Sequence, residues 1–435
     1  MFSMKLCRNR TCRELLRDFR RNISKTSTDK NSDAISRVQD HKIQLASLEN
    51  TCDKSETNRR WMKQMQHNNI RALSTLHHTL IKPPQSSSLA SKEQSRDFMA
   101  LFPDIVRELT DIGTRNQELP EVMKRFARTL QYNTPNGKKY RGMIVISSYK
   151  MLEDPARLTP ENIRLASIVG WCVEMLQAYF LILDDIMDSS ETRRGNPCWY
   201  RQPGIGMSAI NDALMIQNAI YALLKKHFKN HPAYVPLMEV FHETTLRTTL
   251  GQSLDSMCLD QDGKPKLDMF TMSRYSSIVK YKTAYYTFHA PVALAMQLAG
   301  MDDVEQHRQA KTILLEMGQF FQIQDDFLDC FGEPSVTGKM GTDIQEGKCS
   351  WLAVVALQRA TPAQRKIMEE HYGRTEPESV AIVKQLYQDL SLPNTYAIYE
   401  EESYNIIKTH IQQISKGLQH DLFFNIMEKL YKRES

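Results

Sequence analysis

An acidic stretch runs from Asp184 to Asp188, directly after a long apolar segment of the chain. On a helix, Asp184 and Asp188 lie one turn apart on the same face, and Asp185 lies beside them. Three carboxylates this close repel one another and are disfavoured at the C-terminal end of a helix, so we expect a bound cation there. Oxygen ligands suit a hard cation, magnesium above all, and the following Arg193 and Arg194 suit phosphate recognition.

A second acidic stretch repeats this arrangement further along the chain. It consists of Asp325, Asp326 and Asp329, and it also follows an apolar run of helical character, over 313–324. One such motif is a weak signal, because acidic pairs are common on solvated helix faces. Two motifs that each end an otherwise apolar helix are hard to explain in that way. The sequence therefore predicts one metal site shared between them.

Helices must carry these motifs, because glycine is scarce and methionine plentiful, at 17 and 22 of 435 residues. Apolar residues at helical spacing predict long helices over 162–188, 209–229, 236–258 and 268–290. Pro291 is expected to end the last of these. The predicted fold class is all-α, a bundle of ten or more helices around a deep central cavity. Both acidic motifs should face each other at the mouth of that cavity.

A basic turn precedes one of the helices and could bind an anion. The turn at 135–137 brings Lys138 and Arg141 to the start of the next helix, where free backbone N–H groups add to their charge. By itself this pattern could equally be a solvated helix start.

Further lysines lie in segments that could contact phosphate groups. Lys282 and Thr283 lie in an apolar helix, where a lysine more often extends to the surface. The loop over 330–350 holds Lys339 and Lys348 among several glycines, a composition that suits a mobile lid over phosphates.

Charge is distributed unevenly along the chain. Residues 1–94 contain 18 Lys and Arg against 9 Asp and Glu, a net charge of +9, whereas the rest of the chain carries −4. Because the basic excess lies in the leader, we expect no nucleic-acid partner. Glu174 and Gln177 interrupt the longest apolar run, so we predict no transmembrane helix. The eight cysteines form no CxxC pair, which suits a reducing compartment.

Residues 1–25 have the composition of a mitochondrial presequence. Eight basic side chains are interleaved with leucine and phenylalanine, and only Glu14 and Asp18 are acidic. The alternative is a disordered basic tail, which would leave the protein in the cytoplasm. We therefore divide the chain into a leader over 1–94, presequence plus disordered linker, and a globular domain over 95–435.

Five blocks of sequence together resemble a known family. They are 137–142 (GKKYRG), 177–200, 251–255 (GQSLD), 280–284 (KYKTA) and 320–351, which includes the second acidic motif. In this order and spacing, the chain resembles the farnesyl diphosphate synthase family, the animal-type short-chain trans-isoprenyl diphosphate synthases. The resemblance covers roughly 95–435. It implies the isoprenoid synthase fold, a homodimer and a catalytic prenyltransferase domain.

The resemblance also implies a reaction and its residues. The reaction is a magnesium-dependent head-to-tail (1'-4) condensation of isopentenyl diphosphate with dimethylallyl and geranyl diphosphates, giving farnesyl or geranyl diphosphate. Three magnesium ions bridged by diphosphate are implied, with the ligands Asp184, Asp185, Asp188, Asp325, Asp326 and Asp329. The implied catalytic residues are Asp184, Asp188, Asp325, Lys282 and Arg193. The implied substrate-binding residues are Lys138, Arg141, Gln177, Arg193, Arg194, Lys282, Thr283, Gln322, Lys339 and Lys348.

Two aromatic residues are candidates for setting product length. Phe180 lies one helical turn before Asp184 on the same face, and Tyr179 lies beside it. A growing isoprenoid tail anchored at the metal site would run down this face and stop at the two rings. An aromatic pair on a buried helix is more often only core. The register, and the matching aromatics of farnesyl-making relatives, favour a fifteen-carbon product.

Two alternative functions remain open on the same scaffold. A terpene synthase would ionise an allylic diphosphate and should lose the second diphosphate site, yet Lys138, Arg141 and Gln177 are all present. A non-catalytic subunit of a hetero-oligomeric synthase usually loses an acidic motif, and both motifs are intact here.

Overall fold

A computed structural model describes residues 91–115, 120–332, 341–415 and 417–431. Most of these residues are helical. The α-helices are α1 (Lys92–Arg115), α2 (Pro120–Asn133), α3 (Tyr140–Leu152), α4 (Pro160–Met187), α5 (Ala209–Phe228), α6 (Tyr234–Ser256), α7 (Met272–Ile278), α8 (Ala290–Leu298), α9 (Val304–Phe331), α10 (Trp351–Arg359), α11 (Pro362–His371), α12 (Pro377–Asp389), α13 (Leu392–Gln412) and α14 (His420–Tyr431). The prediction of an all-α bundle of ten or more helices is confirmed.

Shorter elements connect these helices. A π-helix, Val279–His289, joins α7 directly to α8. The strands of the described residues are β1 (Thr192–Arg193) and β2 (Asn196–Pro197), which pair antiparallel as a small hairpin. Single 3-10 turns span Pro155–Arg157, Trp199–Arg201, Gly206–Ser208 and Leu267–Met269. The leader up to residue 90, Lys339 and the last four residues lie outside the described residues.

The first helix begins slightly before the predicted domain boundary at 94/95. Helix α1 starts at Lys92, and the Ser91 hydroxyl accepts a hydrogen bond of 3.1 Å from the backbone N–H of Gln94. The Gln94 side chain accepts one of 2.9 Å from the Ser91 N–H in return, a reciprocal cap. A cut at 94/95 would therefore remove the cap and the first turn of α1.

Helix α4 is the central element of the bundle. Thr159 caps its N-terminus by accepting a hydrogen bond from the Asn162 N–H, and Pro160 occupies the first turn, where a missing N–H has no cost. The helix packs chiefly against α3 and α5, and Trp171 at its middle stacks on Phe98 with ring centroids 4.4 Å apart. The long buried helix predicted over 162–188 is confirmed to within two residues.

Among the described residues, α4 is the one helix long and apolar enough to cross a membrane. In its most apolar window, 72% of the residues are buried inside the protein. Its hydrophobic surface is therefore already covered by neighbouring helices, and α4 is a core helix.

The predicted helix over 268–290 differs from the observed one. The chain forms α7, the π-helix and α8 in succession, and it stays helical to Leu298, so the expectation that Pro291 ends the helix is wrong. Pro291 lies in the first turn of α8, where proline is tolerated. The spacing of apolar residues gave no sign of the wider π-helical turn.

The π-helix is held between α6 and α9 by close backbone contacts. A Cβ atom on Gly251 of α6 would collide with the backbone nitrogen of Lys282, and one on Gly318 of α9 would collide with Ala284. Glycine is required at both positions because the helices approach this closely. The packing fixes Lys282 and Thr283 beside α9, the helix that carries the second acidic motif.

Candidate active site

The first acidic motif lies at the C-terminal end of α4. Asp184 is in the last turn, and Asp188 caps the helix and donates its N–H to the Asp184 carbonyl oxygen at 2.8 Å. Lys282 of the π-helix lies 3.1 Å from Asp184 Oδ1 and 2.5 Å from Asp255 Oδ2, measured from its Nζ atom. The structure therefore brings Lys282 to the first motif, with Asp255 of α6 as its second partner.

Asp185 points to a different partner. Arg193 on strand β1 donates from Nε to Asp185 Oδ1 at 2.9 Å and a second time from its terminal nitrogen, which also lies 3.4 Å from Asp184 Oδ2. The tight hairpin that follows α4 turns the arginine back onto the motif. The Asp185 carboxylate is buried and accepts both close hydrogen bonds from this guanidinium, whereas Asp184 receives only the longer one.

Lys348 connects the two acidic motifs. Its Nζ lies 2.7 Å from a carboxylate oxygen of Glu346, 3.8 Å from one of Asp188 and 3.9 Å from one of Asp343. The Asp343 N–H in turn donates to Asp329 of the second motif at 3.0 Å. This chain of contacts places residues 343–348 against the end of α4.

The second motif lies in the last turns of α9, and its three carboxylates have different surroundings. Both oxygens of Asp326 are engaged: Oδ2 accepts from Tyr275 Oη at 2.7 Å and from the Trp351 N–H at 2.8 Å, and Oδ1 accepts from Gln322 Nε2 at 2.9 Å. Asp329 is buried, whereas Asp325 is half-buried. The sequence could not tell these adjacent acids apart.

Gln322 also connects the second motif to the π-helix. Its Oε1 accepts a hydrogen bond of 3.0 Å from the Thr283 hydroxyl, while its Nε2 donates to Asp326. Lys282 contacts the first motif and its neighbour Thr283 contacts α9. The structure thus brings Lys282, Thr283, Gln322 and Lys348 together around the acidic motifs.

The electrostatic environments of Asp184 and Asp188 are opposite. Burial acts to raise the pKa of Asp184, but the charges of Lys282, Lys348 and Arg193 outweigh burial and hold the pKa below its usual range. Burial, together with the negative charge of Asp184, raises the pKa of Asp188 to about 6. Excess negative charge therefore remains at Asp188, which a further cation would relieve.

The donor set fits a hard divalent cation. Asp184 Oδ1 is buried and accepts no hydrogen bond, although Lys282 Nζ lies near it. Within the described ranges, no three His, Cys, Asp or Glu side chains form a ready-made metal cage. A cation bound by one or two carboxylates that completes its shell with water and phosphate oxygens needs no such cage, and magnesium is usually held in that way.

The predicted anion site lies at the start of α3. Lys138 is exposed just before the helix, whereas its neighbour Lys139 is buried and in the left-handed backbone conformation. Lys139 Nζ lies 3.2 Å from Glu174 Oε2 and donates to the carbonyl oxygens of Thr134 and Asn136, both at 2.7 Å. Lys139 is thus a structural residue that sequence analysis missed. The signal was Glu174, an acid inside the apolar helix α4 that needs a buried partner.

Arg141 faces the π-helix. Its guanidinium donates to the Thr287 hydroxyl at 2.8 Å and to the Tyr286 hydroxyl at 3.0 Å, and it lies 4.5 Å from the centre of the Tyr286 ring. Gln177 lies half-buried on α4. Tyr286 and Thr287 were not predicted, because the π-helical turn changes which residues share a face with Lys282.

Arg194 lies against the turn before α3. It donates to the Asn136 carbonyl oxygen, and burial lowers its pKa. Gly137 has φ +96°, and a Cβ atom there would lie 2.7 Å from Arg194 Cζ. Glycine is therefore needed at 137 both for its backbone conformation and for the space that the arginine occupies. The contact brings Arg194 next to Lys138.

The predicted aromatic pair lies between the first acidic motif and the predicted anion site. Tyr179 and Phe180 have ring centroids 4.9 Å apart, and Phe180 lies 5.7 Å from the ring of Tyr286. Phe180 precedes Asp184 by one turn of α4, so its ring lies deeper in the bundle than the acidic motif. The rings of Tyr179 and Tyr286 pack against it there. Tyr286 also contacts Arg141, so the aromatic rings adjoin the predicted anion site.

Comparisons with known proteins agree with this arrangement. The family model for polyprenyl synthetase matches residues 123–390. The farnesyl pyrophosphate synthase of Murgantia histrionica is 51% identical over 364 residues, 84% of this chain and 87% of that protein. The farnesyl pyrophosphate synthase of Homo sapiens is 48% identical over 349 residues, 80% of this chain and 83% of that protein.

A solved structure is also similar. The crystal structure of T. brucei farnesyl diphosphate synthase has a TM-score of 0.72 and 31% sequence identity, covering 78% of this chain and 98% of that one. The isoprenoid synthase fold implied by the sequence resemblance is confirmed. The match of the family model over more than half of the chain, with relatives near 50% identity, shows that this protein belongs to the polyprenyl synthetase family.

Proposed function

We propose that this protein is a prenyltransferase that condenses isopentenyl diphosphate head-to-tail with dimethylallyl and then geranyl diphosphate, giving farnesyl diphosphate. The observation that carries the proposal is the convergence of Lys282, Lys348 and Arg193 on the carboxylates of the first acidic motif. Cations and carboxylates interleaved in this way can bind a metal and a diphosphate together. Relatives near 50% identity are named farnesyl pyrophosphate synthases.

Asp184, Asp188 and Asp325 are the residues that would hold the divalent cations, three ions per site. Asp185 and Asp326 are already engaged by Arg193 and Tyr275, and Asp329 accepts from the Asp343 N–H, so we place these three in supporting roles. When bound, magnesium neutralises the diphosphate and makes it a better leaving group.

The lysines and Arg193 bind the diphosphate of the allylic substrate. In the structure described here they neutralise protein carboxylates, and a diphosphate offers them stronger oxygen acceptors in the same place. Held at these positions, Lys282, Lys348 and Arg193 stabilise the negative charge that develops on the departing group. Lys339, outside the described residues, is proposed to join them.

The second substrate, isopentenyl diphosphate, is proposed to bind at the start of α3. Lys138, Arg141 and Arg194 supply three positive charges there, and Gln177 lies on the neighbouring α4. The Tyr286 ring, which contacts both Arg141 and Phe180, connects this region to the apolar part of the site. The rings of Tyr179, Phe180 and Tyr286 exclude water and stabilise a transient allylic cation.

The reaction is tested by supplying dimethylallyl and isopentenyl diphosphates with magnesium. Products are extracted into organic solvent before and after phosphatase treatment. A prenyl diphosphate synthase gives extractable farnesol only after phosphatase treatment. A terpene synthase gives hydrocarbon or alcohol directly, and a non-catalytic subunit gives neither. The cations at α3 favour the first outcome, because a terpene synthase has no use for a second diphosphate site.

The protein is also proposed to form a homodimer through α5 and α6. Each helix exposes a pair of apolar residues one turn apart, Ile210 and Leu214 on α5 and Leu246 and Leu250 on α6, with Leu246 62% exposed. Apolar surface of this kind is favourable to cover with a second copy. Sedimentation analysis should show a dimer. The double substitution of Leu246 and Leu250 by Asp should give monomers. The control substitution of the exposed Glu239 by Asp should leave the dimer intact.

The leader is proposed to direct the protein to mitochondria. The proposal rests on the basic, leucine-containing composition of residues 1–25 alone.

A further inference from the structure

Asp326 is the point at which three separate segments meet. The Tyr275 hydroxyl comes from α7, the Trp351 N–H from the start of α10, and the Gln322 amide from one turn earlier on α9. Tyr275 and Asp326 are buried, with 1% and 5% of their surface exposed. The carboxylate therefore satisfies buried donors that have no access to water.

Two of these hydrogen bonds, those from Gln322 and Trp351, lead to side chains that are proposed to bind diphosphate. Gln322 holds the Thr283 hydroxyl at 3.0 Å, beside Lys282. Trp351 follows Lys348 by three residues, and the Ser350 N–H donates to the Lys348 carbonyl oxygen at 2.8 Å. Asp326 thus supports both the π-helix and the segment that carries Lys348.

We infer that Asp326 is a positioning residue and not a metal ligand, and that Tyr275 is a second positioning residue that holds its carboxylate in place. Rotation of Asp326 towards a cation would leave the buried Tyr275 hydroxyl and Trp351 N–H without acceptors, which is unfavourable. With Tyr275 in place, Thr283 and Lys348 keep their position on the side of the site that binds the allylic diphosphate. This inference rests on the proposed function for the identity of the ligand.

Tyr275→Phe tests the role of the hydroxyl, since it keeps the ring and removes the donor. Tyr149→Phe is the matched control: Tyr149 is equally buried and donates to Glu153 at 3.1 Å, away from the acidic motifs. For Tyr275→Phe we expect the KM for geranyl diphosphate to rise roughly tenfold, with the KM for isopentenyl diphosphate unchanged. Tyr149→Phe should change neither, although both variants should lower the melting temperature.

Calorimetry with inorganic diphosphate and magnesium gives a readout that is independent of turnover. Affinity should fall for Tyr275→Phe and not for Tyr149→Phe. If Tyr275→Phe lowers only kcat, or matches Tyr149→Phe in affinity and both KM values, Tyr275 is merely structural and the inference is overturned. An inactive wild-type protein would refute the proposed function instead, and the calorimetric comparison would still decide between these roles.

Asp326→Asn addresses the metal question, and it also serves if Tyr275→Phe does not fold. The amide oxygen can still accept from Tyr275 and Trp351, and a flip of the Gln322 amide restores the third hydrogen bond. The magnesium concentration for half-maximal binding with inorganic diphosphate should therefore stay within about twofold of wild type, whereas Asp325→Asn should raise it at least tenfold. Equal rises for both variants would show that Asp326 binds metal.

Discussion

At the scale of single residues, neighbours in sequence take different roles. Lys138 is exposed where a phosphate can reach it, whereas Lys139 is buried against Glu174. Asp184 carries a buried oxygen that accepts no hydrogen bond, whereas Asp185 is engaged by Arg193. Roles are set by which face of the helix each side chain occupies, and a run of identical charges in the sequence does not show this.

Asp184 should be essential for turnover and unimportant for folding. Asp184→Ala removes a proposed metal ligand, so we expect turnover to fall by several orders of magnitude. Lys282 keeps its contact with Asp255, so the melting temperature should change by only a few degrees. Steady-state kinetics and thermal unfolding measure the two effects, with exposed Asp302→Ala as the control. Full wild-type activity in excess chelator would contradict the metal proposal.

The aromatic pair should determine product length. Replacing both Tyr179 and Phe180 by Ala opens space beneath the acidic motif, and we expect products of twenty carbons or more, read by chromatography after phosphatase treatment. The lost packing should cost stability, on the order of several kcal/mol in free energy of unfolding. If the folded double variant still stops at fifteen carbons, Tyr286 or another helix forms the stop.

At the scale of elements, helices were predictable where their apolar residues are continuous. Helix α4 was predicted to within two residues, because its buried residues form a continuous apolar run in the sequence. The π-helix was not predicted, because a change from α-helical to π-helical turns leaves the pattern of apolar residues nearly intact. The site residues Tyr286 and Thr287 were missed for the same reason, and the partners of Asp326, Tyr275 and Trp351, were not predicted because they are distant in sequence.

The contact between α6 and the π-helix gives a prediction at this scale. Gly251→Ala places a methyl group against the Lys282 backbone, so the helices must separate. We expect a loss of about 1–3 kcal/mol in the free energy of unfolding and a clear loss of activity, because Lys282 moves. Ser253→Ala on the exposed face of α6 is the control. A Gly251→Ala protein with unchanged kinetics would show that the position of Lys282 is not critical.

At the scale of the whole molecule, charge is separated between the leader and the rest of the chain. Residues 95–435 carry a slight negative charge although the proposed substrates are anions. Attraction must therefore come from the local concentration of Lys282, Lys348, Arg193, Arg141 and Arg194 at the site, and not from net charge. The net charge of +9 in residues 1–94 lies outside the site, which agrees with the targeting role proposed for the leader.

Removal of the leader should leave the enzyme intact. A protein that starts at Leu89 retains the cap at Ser91, and we expect wild-type kinetics and melting temperature. A start at Ser95 removes that cap and should cost about 1 kcal/mol of stability.

Fusion of residues 1–80 to a fluorescent protein should carry it into mitochondria. A fusion in which the basic residues before position 26 are replaced by Gln is the control and should stay in the cytosol. Diffuse fluorescence from the unaltered fusion would refute the targeting proposal and leave the enzymatic one standing.

The π-helix has a consequence for insertions and deletions. Loss of one residue between Lys282 and Tyr286 would let the segment relax into an ordinary α-helix. Relative to the following helix, every side chain before the deletion would then turn by about 100° and shift by about 1.5 Å along the axis. Lys282 could no longer reach Asp184 while Tyr286 still faced Arg141. This stretch should therefore tolerate no change in its length.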